Sequence, residues 1–342
     1  MISLKEIKNY LDGSENPLIF FDDDSDGLAS FLLIYKYLGK GKGIVVTHSI
    51  LDESYLRKVE EYKPDLILLL DKHGITQDFI DKVNIPIIWI DHHPIIDVKG
   101  IKYFNPKFIN IKDNRPTSYW CYEIVKENLW VAMVGIMADW NLAHYKEFEK
   151  KYSDLVKPGL KEPEQLYFET KFGILAKLFT FILKGKASEV KKSINILTRI
   201  NDPYEILDKT TPRGKFIYKR FERFNNEYEI ILKDALQNSI ITKKVLIYTY
   251  YTKNTSFTTI LANELMCKFK DNIIIVAREK EDMAKISLRT HPKSPIILPP
   301  LINKAITGLR GQAGGHDHAC GGEINKEDFK TFVDRLEHLL KK

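Results

Sequence analysis

Apolar runs and helical periodicity alternate through the first hundred residues. Leu18 to Phe21, Gly43 to His48, Leu66 to Leu70 and Ile85 to Ile90 read as strands. Gly27 to Leu38, Glu53 to Tyr62 and Thr76 to Val83 read as the helices between them. Continuous apolar strands alternating with helices predict a parallel sheet covered on both faces. After Asn105-Pro106 the pattern turns helical, with Thr117-Ser118 opening a helix to Glu127 and an apolar segment running from Trp130 to Asp139. A helical region follows from about Lys146 to Asn238, broken near Pro158, Pro163, Pro203 and Pro212. A second αβ unit comes next. Lys244 to Tyr250 is a strand, Thr258 to Phe269 a helix, Asn272 to Ala277 and Ala284 to Leu288 paired strands, and Lys326 to Leu340 a closing amphipathic helix. Gly308 to His316 is glycine-dense and carries no period. The fold class is therefore α/β, with an N-terminal parallel-sheet domain, a helical connection and a smaller C-terminal α/β domain.

Composition changes this picture little. The 342 residues suit two domains or one large one, and 44% hydrophobic with 29% charged residues is ordinary for a globular protein. A formal net charge of +6 helps an anionic substrate approach but does not imply nucleic acid. The three cysteines, Cys121, Cys267 and Cys320, form no CxxC pair, which argues against a zinc knuckle or a disulfide framework. Reduced thiols in a cytoplasm fit best. The N-terminus lacks a signal-peptide apolar core. The most apolar helical stretch, Ile174 to Leu183, contains Lys177 and falls short of the about 20 residues that cross a bilayer. No membrane segment is expected.

The chemistry stands at the strand ends. Three apolar strands discharge into polar residues: Phe21 into Asp22-Asp23-Asp24-Ser25-Asp26-Gly27, Leu70 into Asp71, and Ile90 into Asp91-His92-His93. Ligands of parallel α/β sheets gather beyond these ends. In extended chain alternate side chains share a face, so Asp22, Asp24 and Asp26 converge while Asp23 and Ser25 point away. Three like charges on one side repel, and a bound cation removes that penalty. Taken alone, Asp71 is an ordinary turn residue and gains meaning from its company. Adjacent side chains diverge, so one of His92 and His93 can ligate metal while the other faces a substrate anion. Asp139 ends an apolar helix, where solvation alone does not account for an acid. His73 and His48 also stand near strand ends, but nothing distinguishes them from surface histidines. In the C-terminal half, Gly314-Gly315-His316 can bring backbone amides close to an anion, and Arg289 can supply a bidentate fork, with Arg310 and His318 nearby in sequence.

These residues resemble a DHH-family phosphoesterase with a C-terminal DHHA1 domain. Asp22 to Gly27, Leu70-Asp71, Asp91-His92-His93 and Gly135-Ile136-Met137-Ala138-Asp139 match the family's four motifs in order. Gly314-Gly315-His316 with Ala319-Cys320-Gly321 is similar to the glycine-histidine motif of the second domain. The resemblance implies domains at 1–205 and 241–342 with a helical linker at 206–240. It also implies two ions, usually Mn2+ with Mg2+ an option, in a cleft between the domains. By position, Asp71 would bridge both ions. Asp24, with Asp22, would complete one site, and Asp26, His92 and Asp139 the other. Asp91 would orient ligands, His93 would face the scissile phosphate, and Arg289, Arg310, Gly314, Gly315 and His316 would hold substrate. Many members carry a histidine four residues before the first metal aspartate, where Phe20 stands here. The RecJ-like branch instead has an aspartate two residues before it, which Asp22 fits.

The activity implied is phosphodiester hydrolysis in short or single-stranded nucleic acid, by a RecJ-like exonuclease, an oligoribonuclease-like enzyme or a cyclic or linear dinucleotide phosphodiesterase. The helix Lys215 to Tyr228 carries Ile217, Phe221, Phe224 and Tyr228 on one side and leaves Lys215, Lys219, Arg220 and Arg223 to track a phosphate backbone or to form a solvated face. No room remains for an added oligonucleotide-binding barrel, which favours short substrates. The main alternative is a non-catalytic scaffold in a replication or repair assembly, though such relatives usually lose metal ligands. A pyrophosphatase of related architecture would need a different, basic C-terminal pattern. The sequence leaves the oligomeric state open, a homodimer included.

Overall fold

The structure, a computed structural model, describes residues 1–252 and 255–340. It divides into two units, Met1–Phe221 and Glu222–Lys342.

The first unit opens with helix α1 (Leu4–Gly13), where Ser3 and Glu6 form a capping box. Then come β1 (Pro17–Asp22), α2 (Ser25–Leu38), β2 (Lys42–Val46), the short strand β3 (Ile50–Leu51) and α3 (Leu56–Tyr62). β4 (Leu66–Leu70), the short β5 (Gly74–Ile75), α4 (Gln77–Lys82), β6 (Ile87–Ile90) and β7 (Lys102–Phe104) follow. The main sheet has the order β2-β1-β4-β6-β7 and is parallel throughout. β1, β4 and β6 are buried along their whole length, which is why they read as unbroken apolar runs. Register fixes what lies beyond them. Phe21 pairs with Leu70, and Leu70 with Ile90. The residues that follow, Asp22, Asp71 and Asp91, therefore leave the sheet side by side at one edge.

Helices α5 (Thr117–Val125) and α6 (Leu129–Ala138) complete the layer that packs on α2. α6 is apolar on every face because it is enclosed on every face, with Leu129 to Met137 all buried. Five further helices follow: α7 (Tyr145–Lys151), α8 (Pro163–Phe168), α9 (Phe172–Ile182), α10 (Ala187–Leu197) and α11 (Pro203–Leu207). Three of the four prolines that divide this region in the sequence, Pro163, Pro203 and Pro212, start α8, α11 and α12 (Pro212–Asn238), where a missing N–H costs nothing. The boundary between the two units falls inside α12.

The second unit adds β8 (Ile240–Ile241), β9 (Val245–Tyr251), α13 (Thr258–Lys268), β10 (Ile273–Lys280), β11 (Met283–Arg289), α14 (Leu298–Ile306), β12 (Gly311–His316), β13 (Ala319–Asn325) and α15 (Lys326–Leu339). Its sheet runs β12-β13-β11-β10-β9-β8, with β9 and β10 parallel and the other pairs antiparallel. Ile273, Ile275, Leu288, Leu298, Ile302, Phe332 and Leu336 centre its core. The aperiodic glycine segment is strand β12, paired in register with β13. Glycines carry no side chain to alternate, so the period is invisible in the sequence. Gly311 and Gly315 are needed because the strands approach closely: a Cβ on Gly315 would stand 2.4 Å from the Ala319 carbonyl oxygen. Helices α1 and α14 are additions to the elements that the sequence pattern predicts. Among the described residues, no helix is long and apolar enough to cross a membrane.

Candidate metal centre

Every acid of the N-terminal motifs is positioned by a distinct local device. Asp22 ends β1, and Asp24 caps α2, its Oδ1 accepting the Gly27 N–H at 2.8 Å. The turn tolerates only glycine at 27, since a Cβ there would lie 2.7 Å from Asp22 backbone atoms. Asp26, in the first turn of α2, caps a second helix. Its Oδ2 accepts the Thr117 N–H at 2.8 Å and its Oδ1 the Ser118 N–H at 2.9 Å, at the start of α5, whose own N-cap is Pro116. Asp71 adopts the left-handed conformation (φ 60°) and accepts the Thr117 hydroxyl at 3.1 Å. Asp139 is the C-cap of α6.

These groups meet. His92 Nε2 lies 3.1 Å from Asp139 Oδ2 and 3.5 Å from Asp71 Oδ1. Ligand atoms of Asp26, His92 and Asp139 fall within 4.8 Å of one another, as do those of Asp22, Asp24 and Asp71, and of Asp71, His92 and His93. Asp71 thus belongs to both sides of the cluster. Burial, then the charges of Asp26, Asp24 and Asp139, raises the Asp71 carboxyl well above its usual range. Burial, then Asp26 and Asp24, does the same to Asp139. Asp26 is also raised, by burial. Asp24 is exposed as a residue, but desolvation of its carboxyl group, followed by the charges of Asp22 and Asp26, pushes it up to about 6.

Asp91 plays another part. It is fully buried and holds His93: Oδ1 lies 2.7 Å from Nδ1, and Oδ2 accepts the His93 N–H at 3.0 Å. Asn105 Nδ2 reaches the same Asp91 Oδ2 at 3.4 Å and the His93 carbonyl at 3.0 Å. Burial works against a charged His93, but the Asp91 hydrogen bond and charge outweigh it and raise the histidine. His73, an exposed residue, stacks on the His93 ring with centroids 3.8 Å apart.

The donor set suits hard divalent ions: carboxylate oxygens with one imidazole. Asp139 Oδ2 is buried without a hydrogen-bond partner among the described residues, although His92 Nε2 is close. An imidazole nitrogen and a buried carboxylate oxygen 3.1 Å apart, among carboxyls that repel each other, fit a cation shared by both.

The second unit collects a different set. Arg289 and His316 are both register partners of Ala319, so they flank β13 at one level. Arg289 Nε donates to Asn263 Oδ1 at 2.7 Å, and Nη1 donates to the carbonyls of Leu288 and Cys320 at 2.8 and 3.0 Å. Burial lowers its pKa to about 10. Gly314 and Gly315 lie on the edge strand β12, which β13 separates from the strand of Arg289, with Gly315 at φ 147°. Arg310 does not join them. It sits at the other end of β12, six residues from His316, about 20 Å of extended chain. Its Nε donates to Asp328 at 2.9 Å and its Nη2 to Glu327 at 2.8 Å, so its fork is engaged by its own chain. Arg220 also departs from the expected basic face. It is buried, donating to Glu189 and to the carbonyls of Ile182 and Lys184, whereas Lys215, Lys219 and Arg223 are exposed.

Sequence reasoning misses Asn105 and Lys72. Asn105 carries no signal beyond preceding a proline. Lys72 is visible as a lysine at the mouth of an apolar strand. It is only 1% exposed, and its Nζ donates to Asp22 Oδ1 at 2.5 Å.

No curated protein sequence matches the chain. Solved structures do. The DHH domain of a protein from a ribosomal-protein family superposes with a TM-score of 0.70 at 12% identity, over 99% of this chain and 89% of that one. RecJ from Thermus thermophilus, in complex with Mn2+, gives 0.67 at 16% identity, over 98% of this chain and 54% of that one. The pGpG-specific phosphodiesterase PggH from Vibrio cholerae gives 0.53 at 14% identity, over 95% and 97%. The chain therefore spans about half the length of the Thermus RecJ. Identities this low establish a shared fold. Residues 17–160 match the DHH family, N-terminal domain, and residues 242–342 match the DHHA1 domain. With both domains in order and the acid motifs at the strand ends, the chain belongs to the DHH family of phosphoesterases.

Proposed function

We propose that the protein is a metal-dependent phosphodiesterase that hydrolyses short or single-stranded nucleic acid. The observation that carries this is the place of Asp71, shared between the Asp22/Asp24 group and the His92 group. Asp24, Asp26, Asp71, His92 and Asp139 would hold two ions, manganese or magnesium. Such a pair activates water and neutralises the attacking and leaving oxygens of an in-line displacement. Asp91 fixes the ring of His93 and leaves Nε2 free of that bond, so that a protonated His93 can donate to an oxygen of the scissile phosphate. In the second unit Arg289, and Gly314, Gly315 and His316 across β13 from it, offer a partly desolvated cation and an accessible edge to a phosphate group.

The neighbours are compatible with both short and longer single-stranded substrates: PggH and a manganese-bound exonuclease RecJ are each matched over nearly their whole length. A scaffold without catalysis would have no use for an intact set of repelling acids. A manganese-supplemented assay on dinucleotides, cyclic dinucleotides, short RNA and DNA oligomers and longer single strands tests the reading. Cleavage of dinucleotides or short oligomers is the expected result. Inactivity on the whole panel, together with retention by replication proteins, would favour the scaffold.

A further inference from the structure

Hydrolysis requires acids and a histidine at this sheet edge, but not a buried lysine. Lys72 follows Asp71, whose left-handed turn redirects the chain at the end of β4. From there its side chain crosses the end of β1 to reach β2. Nζ donates to Asp22 Oδ1 at 2.5 Å, to the His48 carbonyl at 2.6 Å and to the Val46 carbonyl at 3.2 Å. An ammonium has three donors, and all three are used. It is a built-in cation, and it is bonded to a carboxylate of one donor group.

In the other donor group, neither Asp26 nor Asp139 has an ammonium bonded to it among the described residues. Asp26 accepts two backbone amides, and Asp139 Oδ2 accepts no hydrogen bond there. The cation that acts on Asp139 is Lys107, which also gives a hydrogen bond to the His92 backbone carbonyl. Asp22, by contrast, is bonded to an ammonium.

We propose that Lys72 is a resident cation that makes the two ion positions unequal. This rests on the two-ion reading above. The Asp26/His92/Asp139 position binds a divalent ion tightly. The Asp22/Asp24/Asp71 position binds it weakly, because the ion must share Asp22 with a positive charge a few ångströms away in a poorly screened site. Asp22 is then first an anchor for Lys72, and occupancy of the weak position follows the surrounding ion concentration.

The test is a Mn2+ titration of the whole protein without substrate, reading free Mn2+ by its paramagnetic resonance signal. Wild type shows two classes of site, about tenfold or more apart. Lys72→Met removes the charge at nearly constant length, and tightens the weak class by about tenfold while leaving the tight class unchanged. Lys72→Arg keeps the charge and keeps the classes apart. Melting curves of the metal-free variants report the fold, and Lys72→Gln replaces the methionine variant if that one does not fold. A weak class that stays the same or disappears in both neutral variants would overturn the proposal, as Lys72 would then only scaffold Asp22. Two equal classes in wild type would also overturn it while leaving the two-ion reading intact. No bound Mn2+ in wild type would remove both.

Discussion

The parallel sheet of the first unit and the mixed sheet of the second both end in charged groups, and the two ends are opposites. At the first, Asp24, Asp26, Asp71 and Asp139 crowd together; burial raises them all, and the charges of neighbouring acids raise Asp24, Asp71 and Asp139 further. At the second, Arg289 is a desolvated cation whose hydrogen bonds run to an amide and to carbonyls, with no acid bonded to it among the described residues. One region gathers acids that a divalent cation would relieve, and the other a cation that an anionic group would relieve. Parallel strands make the first arrangement available, since every strand presents its end at the same edge. The antiparallel β12–β13 edge makes the second available through small residues that keep the backbone accessible.

The largest effect should follow from the residue shared by both acid groups. Asp71→Asn keeps a side chain that tolerates the left-handed turn but removes the charge. It should lower kcat by about a thousandfold or more with an unchanged circular dichroism spectrum. Near-normal turnover would mean that the centre lies elsewhere. Next comes the opposite pole. Arg289→Ala should raise KM by about tenfold to a hundredfold and change kcat less, with Arg289→Lys intermediate because a lysine lacks the planar fork. A fall in kcat at constant KM would place Arg289 in the chemistry instead.

A smaller effect lies in the pH dependence of the metal-free protein. Asp24 has a folded value of about 6 against an ordinary 3.8. Between these values the folded state holds more protons than the unfolded state, so this group lowers stability as pH rises through the window. The penalty is absent below 3.8 and complete above about 6. In the presence of a chelator, Asp24→Asn should therefore melt higher than wild type at about pH 7 and equally at about pH 4. Equal melting at both values would show that Asp24 is not under strain. The smallest effect belongs to Arg310→Ala, which should change turnover and KM by less than about twofold, since surface ion pairs of its kind contribute little. A KM change as large as that of Arg289→Ala would return Arg310 to the phosphate-binding edge.

Much of the first pole is readable in the sequence because its signal is local and repeated. An apolar strand that stops at an acid appears three times, and parallel pairing brings the three ends together without further information. The alternate spacing of Asp22, Asp24 and Asp26 also points to a shared centre, although they do not stand on one strand face. Asp22 ends β1, while Asp24 and Asp26 belong to the start of α2. Partnerships between distant segments leave no such mark. Asp26 caps α5 from 91 residues away. Lys72 looks like a surface lysine until the carbonyls of Val46 and His48 are seen around it. At the second pole the sequence misplaces Arg310 because a glycine-rich strand reads as a loop. A loop can gather Arg310 and His316 in one cradle, but a strand holds them apart.

The central claim is most directly tested by anomalous diffraction at the manganese edge from crystals of the protein grown with Mn2+. The account predicts two peaks at the edge of the parallel sheet, both contacting Asp71, one also contacting Asp24 and the other Asp26, His92 and Asp139. A map without peaks there, or with manganese held by other residues, would contradict it.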